Sequence, residues 1–460
     1  MKQIIYRYGY LFLVLMVMGL SFSSCKVGKS YVRPELNLLD SLASKQDSTS
    51  VADLHWWEVY TDPLLVSLIE QALEYNKDVL IAAARIKEMA AKNRISTANM
   101  LPQLNGQVSA SNKTENDRGE GTSHSDTYSG KLLLSWEIDL WGNLRWGKQA
   151  SVAEYLKTIE AQRALQMTII SEVAQAYYEL VALDNELIIL NQTLEDRKAS
   201  VRLARIRFEG GMTSEIPYQQ AQVEMARTAT LIPEQDRKIA IKENTIAMLV
   251  GSYPKVINRS SSLEDLFKMK ELPYGLPSSL LERRPDVRAS EQQLRAAHAR
   301  VGVAFTDMFP RISLTGKLGY ESSEFSSFLK SPYSLIEGAL LTPIFNMGKN
   351  RAAWKAQKAV YEQELYSYER TVLNAFKESK DAIVNYNQQR EVHNLKSHLE
   401  KASKKYSDLA HLQYLNGVIS YIDVLDAQRM YFDAQVGLNN AVRDELLAMI
   451  QLYKVLGGGW

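Results

Sequence analysis

The chain has 460 residues, 46% of them apolar, and a formal net charge of +1. That balance describes a folded protein, and near-neutral charge without a dense Lys/Arg block argues against nucleic acid as a partner. A single cysteine, Cys25, excludes an intramolecular disulfide and any cysteine-based metal cluster.

The chain opens on a leader. Lys2 and Arg7 form a positive start, and Tyr10–Leu20 is an apolar run of signal-peptide length, too short to span a bilayer comfortably. Ser23 and Ser24 then stand directly before Cys25, a pattern that resembles a bacterial lipoprotein processing site. The expectation is a signal peptide over 1–24 and an acylated N-terminus at Cys25, the covalent lipid being the only non-protein group expected. The plain alternative is a signal peptide with an incidental cysteine. An acyl chain contributes roughly 0.8 kcal/mol of membrane affinity per buried CH₂. An extended segment over 25–62 leads into the folded part. No later stretch has the run of apolar residues that a membrane-spanning helix needs.

Helix-forming composition predicts a helix over Pro63–Asn99. Period-two alternation then predicts strands over about 102–113 and 127–141, with Leu132, Leu134, Trp136, Ile138 and Leu140 on one face and Ser135, Glu137 and Asp139 on the other. The polar stretch Asn112–Asp126 reads as the loop between them. From Asn143 to Glu209 the only glycine is Gly147 and there is no proline, which predicts a helix of about 100 Å at 1.5 Å per residue. A glycine turn and a helix over Thr213–Val250 follow, and then a connector over 252–276. The same order recurs: a helix over Pro277–Met308, strands over about 310–321 and 333–344 around the loop Glu321–Pro332, a helix over Lys349–Asn416 free of Gly and Pro, a turn, and a helix over Ile419–Leu456. One long helix matches two shorter ones stacked end to end, which predicts a rod.

The second half repeats the first. Gly142 answers Gly348, Gly211 answers Gly417, and Gly251 answers Gly457, all at an interval of 206 residues. The chain therefore reads as two repeats, 63–251 and 277–460, about the connector. Strands with an apolar and a charged face suit a wall between lipid and water, although a soluble sandwich produces the same alternation. Four strands cannot close a membrane barrel, and an open sheet cannot lie in lipid with unpaired edges. If these strands are in a membrane, several chains share one barrel.

The phrases HWWEVYTDPLLVSLIEQAL (His55–Leu73), SWEIDLWGNLRW (Ser135–Trp146), LPSSLLERRPDVRASEQQL (Leu276–Leu294), PIFNMGKNRAAW (Pro343–Trp354) and GVISYIDVLDAQR (Gly417–Arg429) resemble the TolC-like outer membrane efflux proteins, in the lipoprotein branch that serves resistance-nodulation-division pumps. The resemblance implies a mainly α fold with a membrane β-barrel part. Four strands per chain would join in a homotrimer to make a twelve-stranded barrel, above an α-helical periplasmic tunnel. It implies a periplasmic adaptor and an inner-membrane pump as partners, outer-membrane lipid around the barrel, and a passive duct rather than an enzyme.

It also implies a gate at the periplasmic end, on Asp423 and Asp426 with Ile422 beside them. Three apart, the two carboxylates share a helix face, and a ring of them would bind cations and resist anions. Crowding predicts raised carboxyl pKa values and easier closure at lower pH. The bland reading is a solvated acidic face. Phe208, Gly211, Tyr414 and Gly417 mark the two turns as adaptor-docking tips; a plain helix C-cap explains the glycines equally well. Arg283-Arg284-Pro285-Asp286 is expected to start a helix, with its arginines on nearby carboxylates. His393 and His398 are badly spaced for a metal, and no catalytic constellation stands out. The competing reading is a non-channel coiled-coil envelope lipoprotein, a spacer or adaptor, which would have no use for the alternating strands.

Overall fold

The computed structural model describes residues 26–35, 55–117, 121–259 and 283–458. Cys25, Trp460 and much of the connector lie outside the described residues. The chain divides into two compact units. One is drawn from Met1–Leu36, Arg85–Ile159 and Ala289–Glu369, the other from Asn37–Ala84, Glu160–Arg288 and Arg370–Trp460.

The first unit holds an antiparallel four-stranded sheet in the order β1 (Gln103–Asp117), β2 (Gly121–Ile138), β3 (Arg311–Ser322) and β4 (Pro332–Leu341). Its register sorts the side chains by parity. Leu104 faces Leu134, Leu132 faces Leu318, Trp136 faces Leu314 and Ile312 faces Leu340, so the even-numbered residues build one apolar face. The odd-numbered face carries Lys131, Glu137, Lys317, Glu321 and Glu337. On it the Lys131 ammonium contacts the Glu321 carboxylate and lies 4.2 Å from the Tyr333 ring centroid. This is the division expected of a wall between hydrocarbon and water.

The expected loop Asn112–Asp126 is mostly strand. β1 and β2 stay paired from Gln103↔Ser135 to Asp117↔Gly121. A ladder needs only backbone groups, and polar cross-strand pairs support it: Asn112 donates to Asp126 at 2.7 Å, and Thr114 meets His124 at 3.0 Å. β2 meets β3 only as far as Tyr128↔Ser322, so the polar end of the first hairpin runs on alone. The second loop also differs from expectation. It contains a 3-10 helix, Phe325–Lys330.

Two long helices match the tracts without breakers. α4 spans Asn143–Glu209 and α7 spans Lys349–Leu415, 67 residues each. Asp139 starts α4 by accepting the backbone N–H groups of Leu144 and Arg145 at 3.1 and 3.0 Å. α5 (Ile216–Leu249) and α8 (Tyr421–Val455) return beside them. The glycine pairs seen in the repeat mark helix boundaries: Gly142 and Gly348 directly precede α4 and α7, whereas Gly211, Gly417, Gly251 and Gly457 follow helix ends. Gly142, Gly348, Gly211, Gly417, Gly251 and Gly457 all have φ between +71° and +86°. At Gly211 the glycine N–H reaches the Phe208 carbonyl and the next N–H reaches Arg207; at Gly417 the acceptors are Tyr414 and Gln413. Both are Schellman endings.

The first expected helix is broken in two, α2 (Pro63–Tyr75) and α3 (Lys77–Ala98), and a short helix, α1 (Trp56–Val59), precedes it within the segment expected to be extended. Asn76 causes the break. Its side-chain oxygen accepts the N–H groups of Asp78 and Val79, while its amide donates to the Leu249 carbonyl at 2.8 Å, closing the end of α5. A side chain that caps one helix and terminates another outweighs the propensity of the run around it. α6 (Pro285–Thr306) completes the helices. The second unit's core packs α1 and α2 against Ile169–Ala182, Ile246–Val250 and Val442–Leu456. Arg284 behaves as expected of a structural arginine, donating to Asp286 and Glu378 at 2.7 Å and to the Val455 carbonyl.

Residues 26–33 form a strap on the first unit. Val27 donates to the Trp141 carbonyl, and Trp146 donates to Val27 at 2.9 Å. The Lys26 ammonium lies over the Trp146 ring, and Tyr31 meets His298 edge-on at 5.7 Å. Burial, helped by the Lys26 charge, lowers the pKa of His298 from its usual 6.5. Burial and then the Arg145 charge lower that of Lys26 to about 8. Both favour neutral forms in the docked strap. The His298 contribution is complete above 6.5 and lost as pH falls through its lowered value, and docking strengthens further as pH rises through the Lys26 window from about 8 to 10.5. Amide-exchange protection of residues 27–33, corrected for intrinsic rates, should therefore rise from mildly acid to mildly alkaline pH, while that of β2 stays flat.

Candidate functional site

The hairpin turns of the second unit meet in a small apolar cluster. Ala204, Ala221, Tyr414, Tyr421, Val424 and Leu425 are buried there, with Val201, Leu203, Tyr218 and Ile419 against them. Arg207 joins the hairpins across it. Its guanidinium lies 4.3 Å from the Tyr414 ring centroid and donates to the carbonyls of Tyr414 and Leu415 at 3.3 and 3.2 Å, so the first hairpin caps the end of α7. Among the expected docking residues, Phe208 is 37% exposed and Tyr414 only 4%. Tyr414 supports the turn from beneath. Gly211 and Gly417 stand at the surface, where an added Cβ meets nothing within 4 Å.

That open space makes a prediction. At Gly417 the backbone, with φ of +75°, is the only constraint. Gly417→Asn, which tolerates this region, should leave urea stability near wild type, whereas Gly417→Val should cost about 1–2 kcal/mol.

The first turn of α8 holds the expected gate residues. Tyr421, Val424, Leu425 and Ala427 are buried, whereas Ile422, Asp423 and Asp426 are exposed on the opposite stripe. Ile422 is 57% exposed. Asp423 has a local task as well. With Ser420 as N-cap it forms a capping box, taking the Ser420 N–H at 2.9 Å and its hydroxyl at 2.6 Å. Those two donors lower its pKa. Within the protomer the shift thus runs opposite to the one crowding predicts. In the first repeat Pro217 stands at the equivalent position, early in α5. Pro and the Ser/Asp box are alternative helix starters, which explains one of the two differences between the repeats without reference to a pore.

Sequence reasoning missed what holds this turn in place. Glu224 on α5 is 5% exposed and its carboxylate contacts Arg429 of α8. Arg197 of α4, 4% exposed, approaches its other oxygen at 3.6 Å. The hydrogen bond from Arg429 lowers the Glu224 pKa against the opposing effect of burial. The repeat contained a signal. Asp423, Asp426 and Arg429 recur every third residue, where the first copy has Pro217, Gln220 and Val223. The asymmetric stripe extends beyond the acids to the arginine that anchors them.

His393 Nδ1 lies 2.6 Å from Glu445 across α7 and α8. Among the described residues no group of three His, Cys, Asp or Glu side chains is placed to hold a metal ion, and no helix is long and apolar enough to cross a membrane.

A sheet with an apolar and a charged face, two edges left unpaired by the described residues, and very long helical hairpins defines a class: an oligomeric outer-membrane barrel continued by α-helices. Comparisons with known proteins agree. The profile described as "Outer membrane efflux protein" matches residues 68–252 and 276–458. The chain is 35% identical over 410 residues to the solvent efflux pump outer membrane protein SrpC of Pseudomonas putida, covering 88% of this chain and 87% of that one. It is 30% identical over 456 residues to the cation efflux system protein CusC of Escherichia coli K12, covering 96% and 98%. Among solved structures, the outer-membrane channel OprN superposes with a TM-score of 0.87 at 29% identity, covering 95% of this chain and 100% of that one. The MtrE channel of Neisseria gonorrhoeae, in its open state, gives 0.83 at 27%, covering 95% and 98%.

The chain belongs to the outer membrane efflux protein family. It is an outer-membrane exit duct of a tripartite efflux system, a trimer that works with a periplasmic adaptor and an inner-membrane pump. The spacer reading falls with this assignment, and the apolar sheet face gives the physical reason.

Proposed function

We propose that this duct is closed at the α8 turn by Ile422, Asp423 and Asp426, and that movement of α8 away from α5 opens it. The observation that carries the reading is the exposed stripe of Ile422, Asp423 and Asp426, on a turn whose other face is buried and tied to α5 through Arg429 and Glu224. Three copies would set an apolar ring beside two carboxylate rings, which favours cations and resists anions. The adaptor would dock on Phe208, Gly211 and Gly417, with Tyr414 supporting the turn. Cys25 would be acylated after removal of 1–24, and 63–251 and 277–460 would act as tandem repeats. The duct would need no cofactor and catalyse no reaction. Its cargo would be chosen by the pump, since relatives of similar identity are named for solvents and for cations.

The test is single-channel conductance of the purified trimer in a planar bilayer, beside Asp423→Ala/Asp426→Ala. A small wild-type conductance that rises several-fold in the variant supports the gate; large conductance in both places the constriction elsewhere. A second reading, helix capping, has its own support at Asp423. Asp426→Ala alone separates the two, because it leaves the Ser420–Asp423 box intact. It should raise conductance without changing thermal stability.

A further inference from the structure

The loop between β3 and β4 contains more apolar surface than a polar turn should. Its 3-10 helix, Phe325–Lys330, is fixed by the Ser322 and Ser327 hydroxyls at 2.6 Å and by the Glu321 N–H on the Ser331 carbonyl at 3.0 Å. Phe328 is half-buried. Its ring comes within 3.0 Å of where a Cβ on Gly130 would stand and meets Tyr320 edge-on at 6.3 Å. Phe325 meets Tyr128 in the same way at 5.6 Å. Tyr128, Gly130 and Tyr320 all belong to the even-numbered, apolar face of the sheet. The helix therefore lies against the lipid side of the wall, not over the charged lumen side. Phe325 and Leu329 nevertheless remain 75% and 73% exposed.

We propose that Phe325 and Leu329 insert among acyl chains of the outer leaflet, so that this loop is a membrane anchor at the outer rim and not a lid across the pore. Continuity identifies the occupant. The helix extends a lipid-facing surface that already includes Leu318 and Ile336, 64% and 84% exposed, and it sits where the ladder between β2 and β3 ends. Glu324 and Lys330 flank the helix and mark the return to water, and aromatic side chains at such a boundary are a general feature of outer-membrane barrels. Glycine at 130 is part of the arrangement, since any side chain there would meet the Phe328 ring.

The test uses nitroxide labels on Phe325→Cys, Leu329→Cys and Ser123→Cys in the full-length trimer in vesicles. Wild type treated with the same reagent sets the background from Cys25. Accessibility to oxygen, which concentrates in hydrocarbon, is compared with accessibility to a water-soluble nickel chelate. An oxygen-to-nickel ratio several-fold higher at 325 and 329 than at 123, on the polar ribbon, supports the proposal. High nickel accessibility at 325 places the loop in water and overturns it. Exclusion of both reagents means that a neighbouring chain covers the patch, which also overturns it. Phe325→Asp/Leu329→Asp gives an independent reading. Unchanged conductance with weaker retention in vesicles supports an anchor, and increased conductance shows a lid.

Discussion

Glu224→Ala is expected to destabilise the second unit by about 3–5 kcal/mol and to raise single-channel conductance, because it removes the carboxylate that Arg197 and Arg429 share. The two arginines differ. Arg197, 4% exposed, keeps its charge in the interior without compensation, and burial already lowers its pKa. The Arg429 side chain, 48% exposed, can turn to water. Arg429→Ala should therefore cost much less in stability, since Glu224 retains Arg197, yet it should still loosen α8 from α5. Urea unfolding of the two variants checks the order, and equal losses would mean that Arg197 does not depend on Glu224. The pH dependence follows from the lowered Glu224 pKa. The stabilisation is held above the ordinary value of 4.5 and is lost only as pH falls through the lowered one. At neutral pH the tie is intact.

The second large effect concerns assembly. The Glu321 N–H donates to the Ser331 carbonyl, which sets the phase of the ladder from β3 to β4. In that phase the odd-numbered residues of β4 bond to β3, and Ser334, Ile336, Gly338 and Leu340 direct their N–H groups outward to the next chain. Ile336→Pro removes an outward donor and leaves the internal ladder intact. In lipid each unpaired backbone group costs several kcal/mol, so the variant should fold as a chain but fail to run as a trimer on seminative gels. Leu335→Pro, which damages the internal ladder, should lose the sheet itself. If Ile336→Pro still forms stable trimers, β4 does not pair with a neighbour in this phase.

Much of the fold was legible because the strongest cues are local. The lack of Pro, with Gly confined to Gly147 in α4 and missing from α7, defined both helices to within a residue, and the repeated glycines fell on left-handed turns. Alternation gave the correct faces of the sheet because one residue of slip would exchange them. Cues that depend on distant partners were not legible. Nothing near Asn76 announces that its amide will close a helix ending at Leu249, 173 residues away. The polar continuation of β1 and β2 looked like a loop because polarity tracks solvent, whereas a ladder tracks backbone pairing. At the gate, the acids were visible as a spacing on one helix. Their anchor on α5 was not, because Glu224 and Arg429 stand 205 residues apart.

The freestanding end of the first hairpin bears on how such a protein changes over time. Beyond the last pair with β3, seven residues of β1 and seven of β2 continue as a polar two-stranded ribbon, about 23 Å at 3.3 Å per residue. Side chains there answer only to the residue opposite, so substitutions that keep the pairing cost little. The ribbon is also the part of the first hairpin most remote from the helices. An epitope or affinity tag inserted there is expected to leave conductance unchanged, and sequence there is expected to drift more freely than in strands paired on both sides.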